Sequence, residues 1–113
     1  MIDISDGITL FNECDFFSAH DFFEDIWMDA DRHEKEFFQG LVQISVGCYH
    51  LICGNHKGAK SQLTKGMNKL VKYEPAYYKV NLKSLNKKVK VLINNINSNS
   101  NITQEIPTIK LLN

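Results

Sequence analysis

The sequence predicts an all-α protein, a single compact bundle of about five helices with a central buried third helix and an extended C-terminal tail. Two observations lead to this prediction. Apolar residues recur at steps of three and four over most of residues 1–96, which is the period of an amphipathic helix. Glycine, asparagine and proline interrupt the pattern where helices would end, so we assign residues 1–96 to the bundle and residues 97–113 to a flexible linker and apolar tail.

The first two predicted helices are amphipathic and have polar residues that can cap them. Ser5 or Asp6 can cap a short first helix that ends near the sequence NEC. Asp15 can cap a second helix over about residues 16–30. The apolar stripe of this second helix consists of Phe16, Ala19, Phe23, Ile26, Trp27 and Ala30.

The third predicted helix, from about Arg32 to Cys53, is apolar on nearly its whole circumference. A helix of this kind belongs in the middle of a bundle, because a surface helix keeps one polar face. The β-branched run VQISV is compatible with a strand. The length of the apolar segment favours a helix instead.

The second half of the chain predicts two further helices and a tail. Gly54 and Asn55 break the third helix, a fourth extends to about Tyr73 before Pro75, and a fifth covers about residues 81–95. The sequence NSNSN then predicts a flexible linker. The sequence IPTIKLL predicts an extended tail that either docks on the bundle or binds a neighbouring molecule.

Charge is divided along the chain although the formal net charge is zero. Residues 1–36 hold eleven acids against two bases, a net charge of −9, and residues 37–113 hold eleven lysines against two acids, a net charge of +9. The two halves should attract each other, within one molecule or between two. The lysine-rich half lacks arginine and has few aromatic residues, so a solvated lysine face is favoured over a nucleic-acid interface.

Composition also bounds the compartment and the cysteine chemistry. No apolar run approaches the roughly 18 residues that span a bilayer, and the first residues lack a signal-peptide pattern, so we expect a soluble intracellular protein without a membrane partner. Cys14, Cys48 and Cys53 are odd in number and lack the spacing of a redox or zinc pair. We expect all three to be buried free thiols.

Polar residues inside the apolar stripe of the second helix mark the candidate site. On a helical projection Trp27 lies about 20° from His20, and Glu24 lies about 40° away on the other side, at the border of the stripe. Asp21, at about 100°, is expected to be in solvent. His20 and Glu24 therefore form the predicted inward pair.

A polar row on the third helix supplies partners for that pair. Its four members fall within about 40° of one another on a helical projection, and they are Arg32, Gln39, Gln43 and His50. We expect the row to pack against His20 and Glu24. A buried carboxylate without a partner costs several kcal/mol, and Arg32 is the first candidate for Glu24 because a guanidinium can donate two parallel hydrogen bonds.

The predicted cluster is compatible with several functions. Our leading interpretation is a non-catalytic binding or interaction protein whose cluster organises the core or a small ligand pocket. The alternative is a hydrolase-like enzyme with a histidine general base, or a metal-dependent enzyme in which His20, Glu24 and His50 hold a divalent zinc or iron. The sequence HDFFE lacks the second histidine of the zinc-protease helix, and no cofactor motif is visible. Nucleic-acid binding through the lysines is a weaker alternative.

Three stretches, FNECDFFSAHDFFEDIW, FFQGLVQISVGCYH and GNHKGAKSQL, resemble the small all-helical proteins of domain-of-unknown-function family 309. That family occurs in bacteria, archaea, cyanobacteria and some algal plastids, and the similarity spans about residues 8–72. Members typically show His-Glu-x-x-Glu followed by Trp, and Asp21 replaces the first glutamate. The family's characteristic polar positions correspond to His20, Asp21, Glu24, Arg32, Gln39, Gln43 and His50.

The resemblance implies a compact helical bundle without an established activity. Together with a composition rich in lysine, asparagine and isoleucine, it implies a plastid-encoded or cyanobacterial origin and hence the plastid stroma or the bacterial cytoplasm. Partners stay open. The opposite charges of the two halves, or the C-terminal tail, offer routes to self-association.

Overall fold

The computed structural model describes residues 2–98 and 106–113, and it confirms the predicted all-α bundle. The helices in those residues are α1 (Ser5–Asn12), α2 (Phe16–Asp29), α3 (Lys35–Ile52), α4 (His56–Leu70) and α5 (Leu82–Asn97). A 3-10 turn, Val71–Tyr73, follows α4, and two short antiparallel strands, β1 (Ala76–Tyr77) and β2 (Val80–Asn81), precede α5. None of these helices is long and apolar enough to cross a membrane. The strand pair was not predicted.

The central position of α3 is confirmed, since it packs against α2 on one side and α4 on the other. The largest fully buried side chains of the described residues are Phe11, Phe16, Phe23, Phe37, Phe38, Leu41, Ile44, Leu63, Leu70, Leu82, Leu85 and Leu92. Burial of α3 is not complete, however. Tyr49 is 40% exposed and Ile52 is 54% exposed, so part of its apolar circumference faces solvent.

Two glycines set the distance between α3 and α4. A Cβ atom added to Gly66 would lie 2.9 Å from the carbonyl oxygen of Gly40 and 2.9 Å from a methyl carbon of Ile44. Real Cβ atoms essentially never approach other atoms so closely. The two helix backbones can therefore pack this tightly only because both positions lack a side chain.

Side-chain caps begin three of the helices. Asp15, Asn55 and Asn81 accept hydrogen bonds from the backbone N–H groups of Ser18, Gly58 and Ser84, respectively. The cap expected for the first helix was wrong. Ser5 is the first residue of α1, and its N–H donates to Asp3 Oδ1 at 2.9 Å.

Two predicted helix ends also shift. The third helix begins at Lys35 instead of Arg32, because the chain forms a turn over residues 32–34. The fourth ends at Leu70, and its last predicted turn is the 3-10 turn Val71–Tyr73. The turn before α3 therefore removes Arg32 from the helix on which the polar row was predicted.

The strand pair carries an aromatic cluster that covers the start of α3. Tyr78 and Lys79 have φ angles of 50° and 61° and form the two-residue turn between the strands. The Tyr78 ring stacks on Phe37 with 5.6 Å between centroids. Its hydroxyl group donates to the carboxylate of Glu34, and the Tyr73 hydroxyl donates to the carbonyl oxygen of His33.

The C-terminal tail docks on the bundle, which is one of the two alternatives predicted for it. Val80 pairs with Leu111 in an antiparallel bridge, and Ile109 is 3% exposed. The Asn12 side chain donates to the Ile109 carbonyl oxygen at 2.9 Å and accepts from the Ile109 N–H at 2.7 Å. Most of the predicted flexible linker, residues 99–105, lies outside the described residues, and Asn97 belongs to α5.

All three cysteines have free thiols, but the prediction that all three are buried was wrong. Cys48 is buried inside α3, and burial raises the pKa of its thiol. Cys14 and Cys53 are exposed. They lie in the turn between α1 and α2 and at the end of α3, where the chain reaches the surface.

Candidate functional site

A groove lies between the first half of α2 and the second half of α3, and we call it the aromatic groove. Its volume is about 220 Å³. It is lined by Phe16, Phe17, His20, Val46, Tyr49 and His50. Two of the sequence-predicted site residues, His20 and His50, thus meet at one place on the surface.

An exposed aromatic pair forms the rim of the groove. Phe17 is 56% exposed and Tyr49 is 40% exposed, and their ring centroids are 5.8 Å apart. Phe17 also meets the imidazole ring of His20 edge to face, with 5.8 Å between centroids. Aromatic side chains are enriched in protein interfaces, so this exposed rim is a candidate contact surface.

His20 lies between two carboxylates of its own helix. Its Nδ1 atom is 3.2 Å from Asp21 Oδ1, and its Nε2 atom is 3.0 Å from Glu24 Oε2. Both ring nitrogens can donate to these oxygens when both carry a proton. The expectation of a buried Glu24 was wrong, because its side chain is 45% exposed. Asp21 is 59% exposed, in the solvent position expected for it.

Arg32 does not pair with Glu24 in the part of the chain that the structure describes. It is exposed, and it lies in the turn that precedes α3. The helical projection assigned it to the polar row of the third helix, but α3 begins only at Lys35. The carboxylate of Glu24 is instead next to His20, one helical turn away.

The polar row on α3 is divided between two neighbours. Gln43 Oε1 accepts a hydrogen bond of 3.0 Å from Lys69 Nζ of α4, so this side chain contacts α4 and not α2. Gln39 is partly buried, and within residues 2–98 and 106–113 it has no hydrogen bond to another predicted site residue. Of the row, His50 alone lines the groove.

Trp27 lies outside the groove and connects the end of α2 to the start of α3. Lys35 Nζ is 5.2 Å from the centroid of its ring, a distance at which the ammonium is attracted to the aromatic face. The same ammonium is 3.5 Å from the carbonyl oxygen of Met28. Lys35 thus joins the end of α2 to the start of α3, away from the groove.

Metal-ligating side chains do not converge in the described residues. Over residues 2–98 and 106–113, no group of three or more His, Cys, Asp and Glu side chains is arranged to hold a metal ion. His20 contacts Glu24 and lines one groove with His50. Even so, these three side chains are not among any group of the described residues that is arranged to hold a metal ion, as the metal alternative requires.

Sequence reasoning missed both rim residues. Phe17 was left out of the apolar stripe of the second helix and given no role, and Tyr49 was assigned to a third helix expected to be buried on nearly all sides. A signal was present for Phe17. It follows Phe16, which belongs to the apolar stripe of α2, and one residue along a helix is a rotation of about 100°. With Phe16 on the apolar stripe, this rotation turns Phe17 away from the core.

The chain matches the family model described as Domain of unknown function (DUF309) over residues 4–62. No curated protein matches the chain. The matched residues contain α1, α2, α3 and both walls of the aromatic groove, but not α5 or the tail. Because the match covers more than half of its 113 residues, the chain belongs to the DUF309 family.

Proposed function

We propose that this protein is a non-catalytic interaction module. Its aromatic groove would receive an apolar side chain of a partner protein, with a positively charged group next to that side chain. One observation carries the proposal, namely that Phe17 and Tyr49 expose their rings to solvent around a concave site. Aromatic side chains supply a large share of the binding energy in protein interfaces.

The size of the groove supports a single side chain as its occupant. Pockets for drug-sized ligands and cofactors have volumes of about 300–1,000 Å³. The groove, at about 220 Å³, is smaller than that. A side chain that projects from a partner surface needs less space than a complete cofactor.

The charges beside the groove support a cationic neighbour for that side chain. Asp21 and Glu24 both contact His20, which lines the groove. Complementary charge around an apolar contact favours correct partners and disfavours partners of like charge. A lysine or arginine beside the inserted side chain is therefore the expected complement.

The enzyme alternative has less support. A histidine that acts as a general base needs a free nitrogen within hydrogen-bond reach of its substrate. Both nitrogens of His20 are instead next to carboxylates of α2.

An intracellular location, in a plastid stroma or a bacterial cytoplasm, stays a prediction from composition and resemblance.

Two small probes test the proposal. Tryptamine joins an indole ring to an ammonium group, and indole-3-acetate joins the same ring to a carboxylate. A ligand of about a dozen heavy atoms that gains about 0.3 kcal/mol per atom binds with a Kd on the order of 1 mM. We expect tryptamine to shift the NMR signals of Phe17, His20, Tyr49 and His50, and indole-3-acetate to bind several times more weakly.

Matched variants identify the surface that binds. The double variant Phe17→Ala/Tyr49→Ala should weaken tryptamine binding at least about fivefold, because both rings of the rim are lost. Ile52→Ala is the control, since Ile52 is 54% exposed on the same helix but does not line the groove. Equal binding of the two probes, or equal binding by wild type and the double variant, would contradict the proposal.

A further inference from the structure

In the part of the chain that the structure describes, the opposite charges of the two halves are mostly not joined in ion pairs. Among residues 2–98 and 106–113, a single ion pair joins a lysine to a carboxylate, between Lys72 Nζ and Glu36 Oε2 at 2.9 Å. The sequence places a net charge of −9 before residue 37 and +9 after residue 36. Most of this attraction is therefore available to a second molecule.

The outer side of α2 carries the exposed acids, and we call it the acidic face. Asp21, Asp25 and Asp29 are exposed at intervals of four residues. Met28, beside Asp29, is 62% exposed, which gives the acidic face an apolar side chain at one end. At a rise of 1.5 Å per residue, the three acids span about 12 Å of the helix.

A second groove lies between the end of α4 and α5, and we call it the lysine groove. Three exposed lysines of α5 lie along the edge of this groove, namely Lys83, Lys87 and Lys90. Apolar surface comes from Met67 and Val71. Its volume is about 390 Å³. The three lysines span about 10.5 Å at the helical rise. Its one acid, Glu74, accepts a hydrogen bond of 2.7 Å from Asn86.

We infer that this protein associates with a second copy of itself, with the acidic face of one copy docked on the lysine groove of the other. The two surfaces match in length and have opposite charge. Each also exposes apolar atoms, so Met28 of one copy can insert between Met67 and Val71 of the next. A net charge of zero removes the overall repulsion that would otherwise keep two identical molecules apart.

This contact joins two different surfaces, so it is head to tail. Such an interface leaves one acidic face and one lysine groove free at the ends of each pair, and it can add further copies. It involves α5, which lies outside the family match. Apart from Asp21, which also contacts His20, it uses residues other than those of the aromatic groove, so loss of association and loss of tryptamine binding are separate outcomes.

Sedimentation equilibrium of nuclease-treated protein tests the inference. At about 20 mM salt charges are weakly screened, so the weight-average mass should rise with protein concentration well above the monomer mass. At about 500 mM salt the charges are screened, and the weight-average mass should return to that of the monomer. The monomer mass is 13.0 kDa. A monomer at low salt, or association that persists at high salt, would overturn the inference.

Charge reversal identifies the two surfaces. Asp25→Lys/Asp29→Lys gives a molecule with two basic faces, and Lys87→Glu/Lys90→Glu gives one with two acidic faces, so each should be monomeric alone. Mixed in equal amounts, the two variants should associate again. Asp21 is left unchanged because it contacts His20.

A control separates position from total charge. Lys57→Glu/Lys60→Glu changes the net charge as much as the lysine-groove variant does, but at exposed sites near the start of α4. This control should still associate. Circular dichroism checks that every variant is folded. If either charge-reversal variant associates alone, or if their mixture does not associate, the assigned faces are wrong. Self-association that disappears after nuclease treatment would also overturn the inference, because RNA would then link the molecules.

Discussion

The hydroxyl group of Tyr78 lies 3.0 and 3.1 Å from the two carboxylate oxygens of Glu34 and joins the strand pair to the turn before α3. Burial, and then the adjacent Glu34 carboxylate, raise the pKa of Tyr78 to about 12. The pKa of Tyr77 is raised for the same reasons. The phenolate form of either residue would thus be destabilised beside Glu34.

An alkaline titration should reveal this contact. Because the pKa of Tyr78 is higher in the folded state than in the unfolded chain, the folded state holds the proton more firmly, and stability falls as pH rises from about 10 toward 12. We expect Tyr78→Phe to make this fall smaller, with Tyr77 supplying the remainder. The free energy of unfolding measured in denaturant at several pH values checks this. An unchanged pH slope in the variant would refute it.

Substitution of the carboxylate separates charge from burial. Glu34→Gln should lower the pKa of Tyr78, because the neutral amide no longer repels the phenolate, while burial continues to raise that pKa. Tyrosinate absorbance provides the measurement. Glu13→Gln, at an exposed position, is the matched control and should leave the titration curve unchanged.

Asn12 holds the C-terminal tail through two hydrogen bonds to the backbone of Ile109. Each bond contributes on the order of 1 kcal/mol, so Asn12→Ala should destabilise the docked tail by about 2 kcal/mol. Hydrogen exchange at the Ile109 and Leu112 amides should accelerate, while exchange in α3 changes less. Asn68→Ala, at an exposed site on α4, is the control. Unchanged protection of the Ile109 amide would show that the two bonds do not hold the tail.

The contact between Gly66 and Gly40 predicts that a single methyl group is destabilising. Alanine normally stabilises a helix relative to glycine by about 1 kcal/mol. In Gly66→Ala the new Cβ would overlap the Gly40 carbonyl oxygen, and overpacking typically costs about 1–3 kcal/mol. We expect a lower free energy of unfolding in chemical denaturation. The opposite result, a stabilised variant, would mean that α3 and α4 can move apart freely. Lys65→Ala, at the exposed preceding position, is a control for alanine substitution outside the contact and should change the free energy of unfolding little, because lysine and alanine have similar helix propensities.

Arg32→Ala should change stability by less than about 0.5 kcal/mol, as is usual for exposed surface positions. Breaking a buried ion pair would instead cost about 3–5 kcal/mol. The exposed turn position of Arg32, without an ion pair to Glu24 in the described residues, leads to the smaller value. A loss of 2 kcal/mol or more in thermal or chemical unfolding would restore the buried pair as the better account.

The helices could be predicted because their signals are local. The spacing of apolar residues located all five, and Asp15 was identified as the cap that it is. The strand pair could not be predicted in this way. Each strand has two residues, and the turn residues Tyr78 and Lys79 adopt positive φ angles that sequence rules associate with glycine or asparagine. Contacts with α3 and with the tail stabilise this turn from far away in sequence.

The candidate site was predictable in part for the same reason. Helical angles correctly associated His20 with Glu24, since both belong to one continuous helix. The angle given to Arg32 was wrong because it assumed an uninterrupted helix through the turn at residues 32–34. The contact of Gln43 with Lys69 depends on how α4 packs against α3, which no angle within a single helix reports.

The contact between Asn12 and Ile109 joins residues 97 positions apart and has a consequence for biosynthesis. Chains fold as they leave the ribosome, with N-terminal parts first. Leu111, which covers the edge of β2 at Val80, follows all five helices in the chain, so this edge is uncovered while the residues between them are being synthesised. An open strand edge is a template for pairing with another chain. Until Leu111 has been synthesised and has docked on Val80, the edge of β2 is therefore open to pairing with another nascent chain.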